Sequence, residues 1–563
     1  MAYNIIHQTY KIVFITCILI SWGILGSCGD SNNTKEDNAN EKIYYFPLKS
    51  LPEDLDPAHS LSKEADSVMG EIYDGLVCLN ESFEVAPEIA ESWEYNSKTA
   101  TYTFHLREGV KFHNGKPVTA EDVKYSLQRL AMPKIKADQA EWILYVKGAR
   151  EFKNGKTNDV KGLRVIDERT IDIELGINYL PFLKLLTTTM FSIVCKDAFE
   201  EYDKGQKDYF KPIGSGPFQF EKKFPDGAIS LRANPDYYRH KPNLDGIIYR
   251  LVTDPFIMLD DYRDGKLHHI EIPHVIAEKV LKEDFLNDEI TSYPVNQIYY
   301  FVFNLDSNQF GGTENRDSKR LVRQAINYAV DREYICKTIM EDQAKPVNYI
   351  IPSGMLDYEN PLSDIFGFKY DPSKAKELLA KAGFPSGKGF KTITIHTRSN
   401  DRDRKIAEAI KNNLNDIGLT VEIALEDNET YKKIGEKKFA FFANLWIMQY
   451  PDIDDYLALF HGKNARGGKN LANITRDYIN ELIDKSERID DPAQLKELYV
   501  EIEKELWYDC PWLFLFRIKN ILLINRNVKG LKEQICQLDF YESIPHVRME
   551  EVDLVSQRED KKR

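Results

Sequence analysis

The sequence predicts an α/β chain of more than one lobe, and three observations carry that prediction. Residues 391–425 read as strand, helix and strand: KTITIHT, the amphipathic RKIAEAIKNNLNDI, Gly418 as C-cap, then LTVEIAL. A crossover of that length joins parallel strands and places helices on both faces of a sheet. Residues 93–130 read as strand, turn, strand and capped helix. The length, 563 residues with 42% hydrophobic and 29% charged, suffices for two or three lobes with cores of their own.

The elements follow in order. Ile12 to Ile24 is an apolar run preceded by Lys11, too short to span a bilayer comfortably but suited to the core of a signal peptide. It ends in Leu25-Gly26-Ser27-Cys28, which resembles the lipobox of bacterial lipoproteins, although Gly26 and Ser27 depart from the commonest order of small residues. The resemblance implies cleavage after residue 27 and lipid on Cys28; an uncleaved signal anchor is the alternative. The polar stretch GDSNNTKEDNANEK then reads as a tether, residues 28–41, that does not pack. Either way the body lies outside the cytoplasm.

In 93–130, Tyr102, Phe104 and Leu106 line one face of a strand and Asn114-Gly115 marks a turn. Thr119 opens a capping-box start with Asp122, and Val123, Leu127 and Leu130 follow at helical spacing. PIGSGPFQF (212–220) is a glycine turn running into a strand, and 230–252 gives two strands around a Pro-rich connection. YYFVFNL (299–305) is a strand, followed by a helical stripe of Leu321, Val322, Ala325, Ile326 and Ala329. Asp371-Pro372 opens a helix that Gly383 and Pro385 close. After the strand 439–448 come a helix from about Ile453, helices at 475–487 and 492–508, and WLFLFRIKNILLI as an apolar strand pair.

Several function classes drop out. The net charge of −14 has acids and bases interleaved, so no footprint for nucleic acid exists. No G-x-S-x-G, H-E-x-x-H or Walker A pattern occurs in a credible setting, and Gly214-x-Gly216 runs into a strand instead of a helix, so no catalysis is expected. Beyond Cys28, Cys78, Cys195, Cys336, Cys510 and Cys536 are odd in number and show no CxxC spacing; they read as small buried residues, and one disulfide stays open.

Motif order then resembles a known family. LDPAHS (55–60), EIYDGLV (71–77), APEIAESWEY, YTFHLREGVKFHNGKPVTAEDVKYSLQRL, GSGPF, NPDYY, FVFNL, RQAINYAVDR, YDPSKAKELLAKAGFP and LWIMQYPDIDDYL run in the order found in the solute-binding proteins of ABC importers of the oligopeptide, dipeptide and nickel cluster. The resemblance covers about residues 41–550. It implies a two-lobed clamp of the type II-like periplasmic-binding-protein class, with an extra subdomain in the first lobe. Lobe I takes 42–80, 191–272 and 511–553, the inserted subdomain 81–190, and lobe II 273–510. Ligand lies between the lobes and shifts an open–closed equilibrium.

The resemblance also nominates site residues. Trp446, Gln449 and Tyr450 stand at a strand end of lobe II, the usual ligand crevice of an open α/β sheet. Peptide-binding relatives carry an aspartate at the position of Gln449, paired with the peptide α-ammonium; the amide here is neutral. Trp446 is the expected stacking wall, and Asp452, Asp454 and Asp455 are expected to cap and charge the next helix. Ser60, Leu61, Ser62 and Lys63 form a first-lobe loop alongside ligand, and Lys63 brings positive charge to the mouth unless it is merely solvated. The S-x-x-K match in this loop lacks the rest of the penicillin-binding pattern and reads as chance. Tyr300 and Asn304 lie on the strand entering lobe II, where Asn304 either touches ligand or fixes hinge backbone. Neighbouring His268 and His269 point to opposite faces of a strand and so do not share an ion; no metal and no cofactor is expected.

The expected function is therefore capture of oligopeptides and delivery to an ABC permease and ATPase, by a monomer lipid-anchored in the periplasm or at the cell surface. A non-peptide solute, such as an oligosaccharide or metal chelate, and an adhesion or signalling lipoprotein are the alternatives.

Overall fold

The computed structural model describes residues 41–60, 62–80, 84–137, 140–205, 211–283, 286–312, 314–348, 350–351, 358, 367–434, 439–450, 452–537 and 548–555. The signal segment, Cys28, most of the tether and Leu61 lie outside the described residues.

Three main sheets organise the chain. In the first, Ile43–Leu48 pairs parallel with Gly246–Leu251, which continues antiparallel to Ile229–Ala233 and Phe218–Lys223. The helix Lys63–Ile72 packs beneath it through Ala65, Val68, Met69 and Ile72. The second sheet is antiparallel, in the order Ala90–Asn96, Thr101–Leu106, Thr170–Glu174, Leu163–Asp167. Its helix Ala120–Leu130 starts with the expected capping box: the Asp122 carboxylate accepts from the Thr119 N–H at 3.0 Å and the Thr119 hydroxyl oxygen accepts from the Asp122 N–H at 3.4 Å.

The third sheet has seven strands in the order His269–Glu271, Trp512–Ile524, Ile290–Phe303, Phe441–Ile447, Ile393–Arg398 and Val421–Glu426, with Ala344–Pro346 attached to Trp512–Ile524. Ile393–Arg398 and Val421–Glu426 are parallel and joined by the helix Asp401–Asp416, as the strand–helix–strand pattern requires. Asp371 caps Pro372–Lys381 by accepting from the Lys374 N–H at 2.8 Å, and Gly383 follows at φ +91°.

Two elements differ from expectation. WLFLFRIKNILLI is one strand of 13 residues, not a pair. Nothing in it forms a turn, and its polar centre Arg517–Asn520 faces partners along Ile290–Phe303 across two register shifts. The expected strand 299–305 is correspondingly the end of a 14-residue strand, Ile290–Phe303. Its partner along that length is Trp512–Ile524.

Buried charge fixes the joint between the first two sheets. Asp56 and Arg129, 0% and 1% exposed at their side chains, meet in a bidentate pair at 2.7 Å and 2.7 Å, and Arg129 also reaches Asp203 at 2.9 Å. At the entry to the third sheet the His269 ring nitrogen lies 2.9 Å from the Tyr44 hydroxyl, and His268 accepts from the Tyr45 N–H at 2.9 Å. Burial lowers His268 to about 4 and His269 to about 3, so both are neutral packing groups at pH 7.

Candidate functional site

The strand Phe441–Ile447 ends at Trp446 and Ile447, which pair with Ile298 and Gln297. The chain then turns through Met448–Tyr450 into a short helix, Asp454–Leu457. The three aspartates there do something other than cap. Asp455, 1% exposed, accepts through one oxygen from the Trp446 indole N–H at 2.9 Å and from the Gln449 backbone N–H at 3.0 Å. Asp454 accepts from the Tyr450 hydroxyl at 2.6 Å and the Tyr179 hydroxyl at 2.5 Å. Only Asp452 serves its own turn, accepting from the Asp454 N–H at 2.9 Å. The expectation of capping and dipole charge is thus corrected for Asp454 and Asp455: the helix is four residues long, its N-cap Ile453 makes no side-chain bond, and both carboxylates turn inward to neutral donors.

Burial dominates their titration. It raises Asp454, with Asp452 adding to the rise. It lifts Asp455 to about 7 against the opposing pull of Lys469, the Gln449 N–H and the Trp446 N–H.

A lysine completes the corner. The Lys469 ammonium donates to the Gln449 side-chain oxygen at 3.2 Å and lies 5.5 Å from the Trp446 ring centre and 5.8 Å from that of Trp142. Its backbone is pinned: Gly467 has φ +118°, a Cβ on Gly468 would stand 2.5 Å from the Asn464 carbonyl oxygen, and buried Asn470 bonds the His461 and Ile474 carbonyls. Trp142 belongs to the second-sheet unit, which meets the third-sheet unit here. Tyr450, 3% exposed, sits edge-on to Trp142 at 5.6 Å, and Tyr145 stacks on Tyr179 at 4.0 Å. Lys184 pairs with Asp452 at 3.1 Å, and the Leu180 N–H donates to the Glu487 carbonyl at 3.0 Å.

The other nominated residues lie elsewhere. Tyr300 is 1% exposed, stacked on Trp512 at 3.7 Å, and accepts from Asn444 at 2.8 Å. Asn304 follows Phe303, six residues along the chain from Ile298 opposite Trp446, or about 20 Å away. There it donates to the Phe439 carbonyl at 3.1 Å and accepts from the Asp306 N–H at 3.0 Å, which fixes backbone. Ser60 bonds Asp66, Ser62 caps Lys63–Ile72 by accepting from the Ala65 N–H at 3.1 Å, and Lys63 pairs with Glu271 at 3.1 Å. Burial pushes Glu271 up, but Lys63 and Lys49 prevail and hold it at about 2. Sequence reasoning missed Lys469, Trp142 and Tyr179. For Lys469 the available signal was the pair of glycines before it; for the other two, separated from Gln449 by about 300 residues or fewer of chain, no local pattern exists.

A cavity of 880 Å³ opens between the helix Asp401–Asp416 and the segment 334–341; Asp401, Arg402, Lys405 and Glu408 line it from the helix and Glu341 from the segment. It shares no residue with the Trp446 corner.

With the sheets and the corner in view, the match to known proteins decides the class: residues 84–468 fit the family model of bacterial extracellular solute-binding proteins, family 5. The chain belongs to that family. Among curated relatives, the dipeptide-binding protein DppE of Bacillus subtilis is 26% identical over 89% of this chain and 91% of its own. Heme-binding protein A of Haemophilus influenzae is 26% identical over 90% and 94%. The structure of Helicobacter pylori DppA in complex with the peptide STSA superposes with a TM-score of 0.70 at 26% identity, covering 91% of this chain and 98% of that one. This family-5 chain is accordingly a solute-binding protein with the two-lobed clamp fold. Among the described residues, no helix is long and apolar enough to cross a membrane. Cys78, Cys195, Cys336 and Cys510 are free thiols.

Proposed function

We propose that this protein captures oligopeptides between its lobes and delivers them to the permease of an ABC importer, without catalysis of its own. The observation that supports this reading is the corner at the end of Phe441–Ile447. There a half-exposed indole, an amide and an ammonium stand at the strand ends of an α/β sheet, where a second unit of the chain closes over them. In this reading Trp446, Gln449, Lys469 and Trp142 form the ligand wall and Tyr450 braces it from behind. Ser60, Ser62 and Lys63 are assigned to the opposite wall on the family resemblance, their side chains being engaged by Asp66, the helix start and Glu271. The clamp works as a monomer tethered by lipid on Cys28, with lobes divided near residues 272 and 510.

A second reading keeps the clamp and changes the cargo to a non-peptide solute, an oligosaccharide or a metal chelate. Gln449 favours it, because an amide already engaged by Lys469 offers no charge to a peptide ammonium. A thermal-shift screen of the purified protein against tetrapeptides, oligosaccharides, heme and nickel–histidine separates the two. A ligand at 100 times its Kd adds about 2.7 kcal/mol of stability, a shift of a few degrees. The peptide arm is expected to give it. A shift from the non-peptides alone supports the second reading, and none at all points to an adhesion or signalling lipoprotein.

A further inference from the structure

The ammonium of Lys469 is the unusual feature of the corner. It is held at three points, the Gln449 oxygen at 3.2 Å and the two indole faces at 5.5 and 5.8 Å, on a loop that two glycines and Asn470 fix in place. Rings and amide are neutral and orient the charge; the carboxylate that feels it is Asp455, which burial lifts to about 7, so near neutral pH it offsets the ammonium only in part. Asp455 beneath is 1% exposed and already accepts two N–H bonds through one oxygen, so it offers no carboxylate to the crevice. An incoming ammonium meets a like charge and an amide oxygen that already accepts from Lys469. An incoming carboxylate or phosphate meets a positioned cation, the geometry that favours a charge-assisted hydrogen bond.

We propose that the subsite bounded by Trp446, Gln449 and Trp142 receives an anionic end group of the ligand, with Lys469 as its counter-ion. The proposal rests on the reading of this corner as the ligand wall. It makes the preferred cargo an acid-ended solute: a peptide whose amino end is blocked by an acidic group, or a chain ending in a carboxylate or phosphate.

Two measurements on the purified protein at low salt test it. In the first, quenching of tryptophan fluorescence by iodide is compared with quenching by caesium, and the Trp446 component is taken as the difference between the wild-type protein and Trp446→Phe. The overall charge of −14 repels iodide, so iodide quenching Trp446 severalfold better than caesium reports local accumulation of anions. Lys469→Glu is expected to reverse the order and Lys469→Met to abolish it. Equal quenching, or caesium the stronger, in the wild type overturns the proposal.

In the second, one tetrapeptide is titrated with its amino end free, acetylated or succinylated. The succinyl form is expected to bind at least tenfold more tightly than the free form, with the order reversed in Lys469→Glu. Tightest binding by the free ammonium overturns the anion subsite while leaving peptide capture standing. If none of the three binds, peptide capture fails, and the quenching result decides the subsite alone.

Discussion

Two places in the molecule bury pairs of aspartates, and they handle the charge in opposite ways. At the joint of the first two sheets, Asp56 and Asp203 share the guanidinium of Arg129, which is itself 1% exposed. At the corner of the third sheet, Asp454 and Asp455 are as deeply buried, yet their bonds come from hydroxyls, an indole and a backbone amide. Charge met by charge gives a fixed joint, with both carboxylates tied to one guanidinium. Charge met by neutral dipoles leaves burial in command, so the carboxyl rises into the physiological range, Asp455 to about 7. The first arrangement suits a rigid scaffold. The second sits where two units of the clamp meet, and it makes that contact responsive to its surroundings.

The comparison breaks most visibly at Arg129. Replacing it with Met leaves two buried carboxylates without a counter-ion, holding only the Ala58 N–H and the Tyr125 hydroxyl, and is expected to cost about 3–5 kcal/mol in urea unfolding. A loss below about 1 kcal/mol would mean that the joint is not held by this charge. At the corner, Tyr179→Phe removes one of two hydroxyl donors from Asp454, for an expected loss of about 1–3 kcal/mol. The same variant loosens the contact between the two units, so limited proteolysis should accelerate together with the loss of stability; unchanged protease resistance would show that the Lys184–Asp452 and Trp142–Tyr450 contacts hold it without this bond.

The pH test has a definite sign. The folded pKa of Asp455 lies near 7, above the unfolded value of about 3.9. Between these values the folded state binds more protons than the unfolded one, so this group's contribution is complete below about pH 4 and is lost as pH rises through 7. Asp455→Asn cannot titrate. Its stability relative to the wild type is therefore expected to rise steadily from pH 4 to pH 7, and a difference independent of pH would show that Asp455 is ionised throughout. The smallest effect is expected at the surface: Arg466→Ala breaks an exposed pair with Asp306, its side chain 67% exposed, and should leave the urea midpoint unchanged; a clear drop would show that the pair is screened from solvent.

The same contrast explains what could be read from sequence. Local devices were legible: the Thr119–Asp122 capping box, the Asp371-Pro372 helix start and the crossover of 391–425 depend on residues within one or two turns of each other. The family's ordered motifs placed Trp446 and Gln449 at the end of a strand. What stayed hidden joins distant segments. Asp454 and Asp455 precede a helical turn and so resemble caps, and only the approach of Tyr179 and the return of Trp446 turn them inward. Lys469 and Trp142 carry no pattern that ties them to Gln449. WLFLFRIKNILLI, expected as a strand pair, lies in the fold along a single strand opposite Ile290–Phe303.

The central claim, that solute is taken at the Trp446 corner of a clamp, is tested most directly by titrating the protein with a tetrapeptide pool while following tryptophan fluorescence, with Trp446→Phe in parallel. A saturable change in the wild type that is largely lost in the variant is the predicted result. A saturable change of equal size in both proteins would place the solute elsewhere and contradict the account.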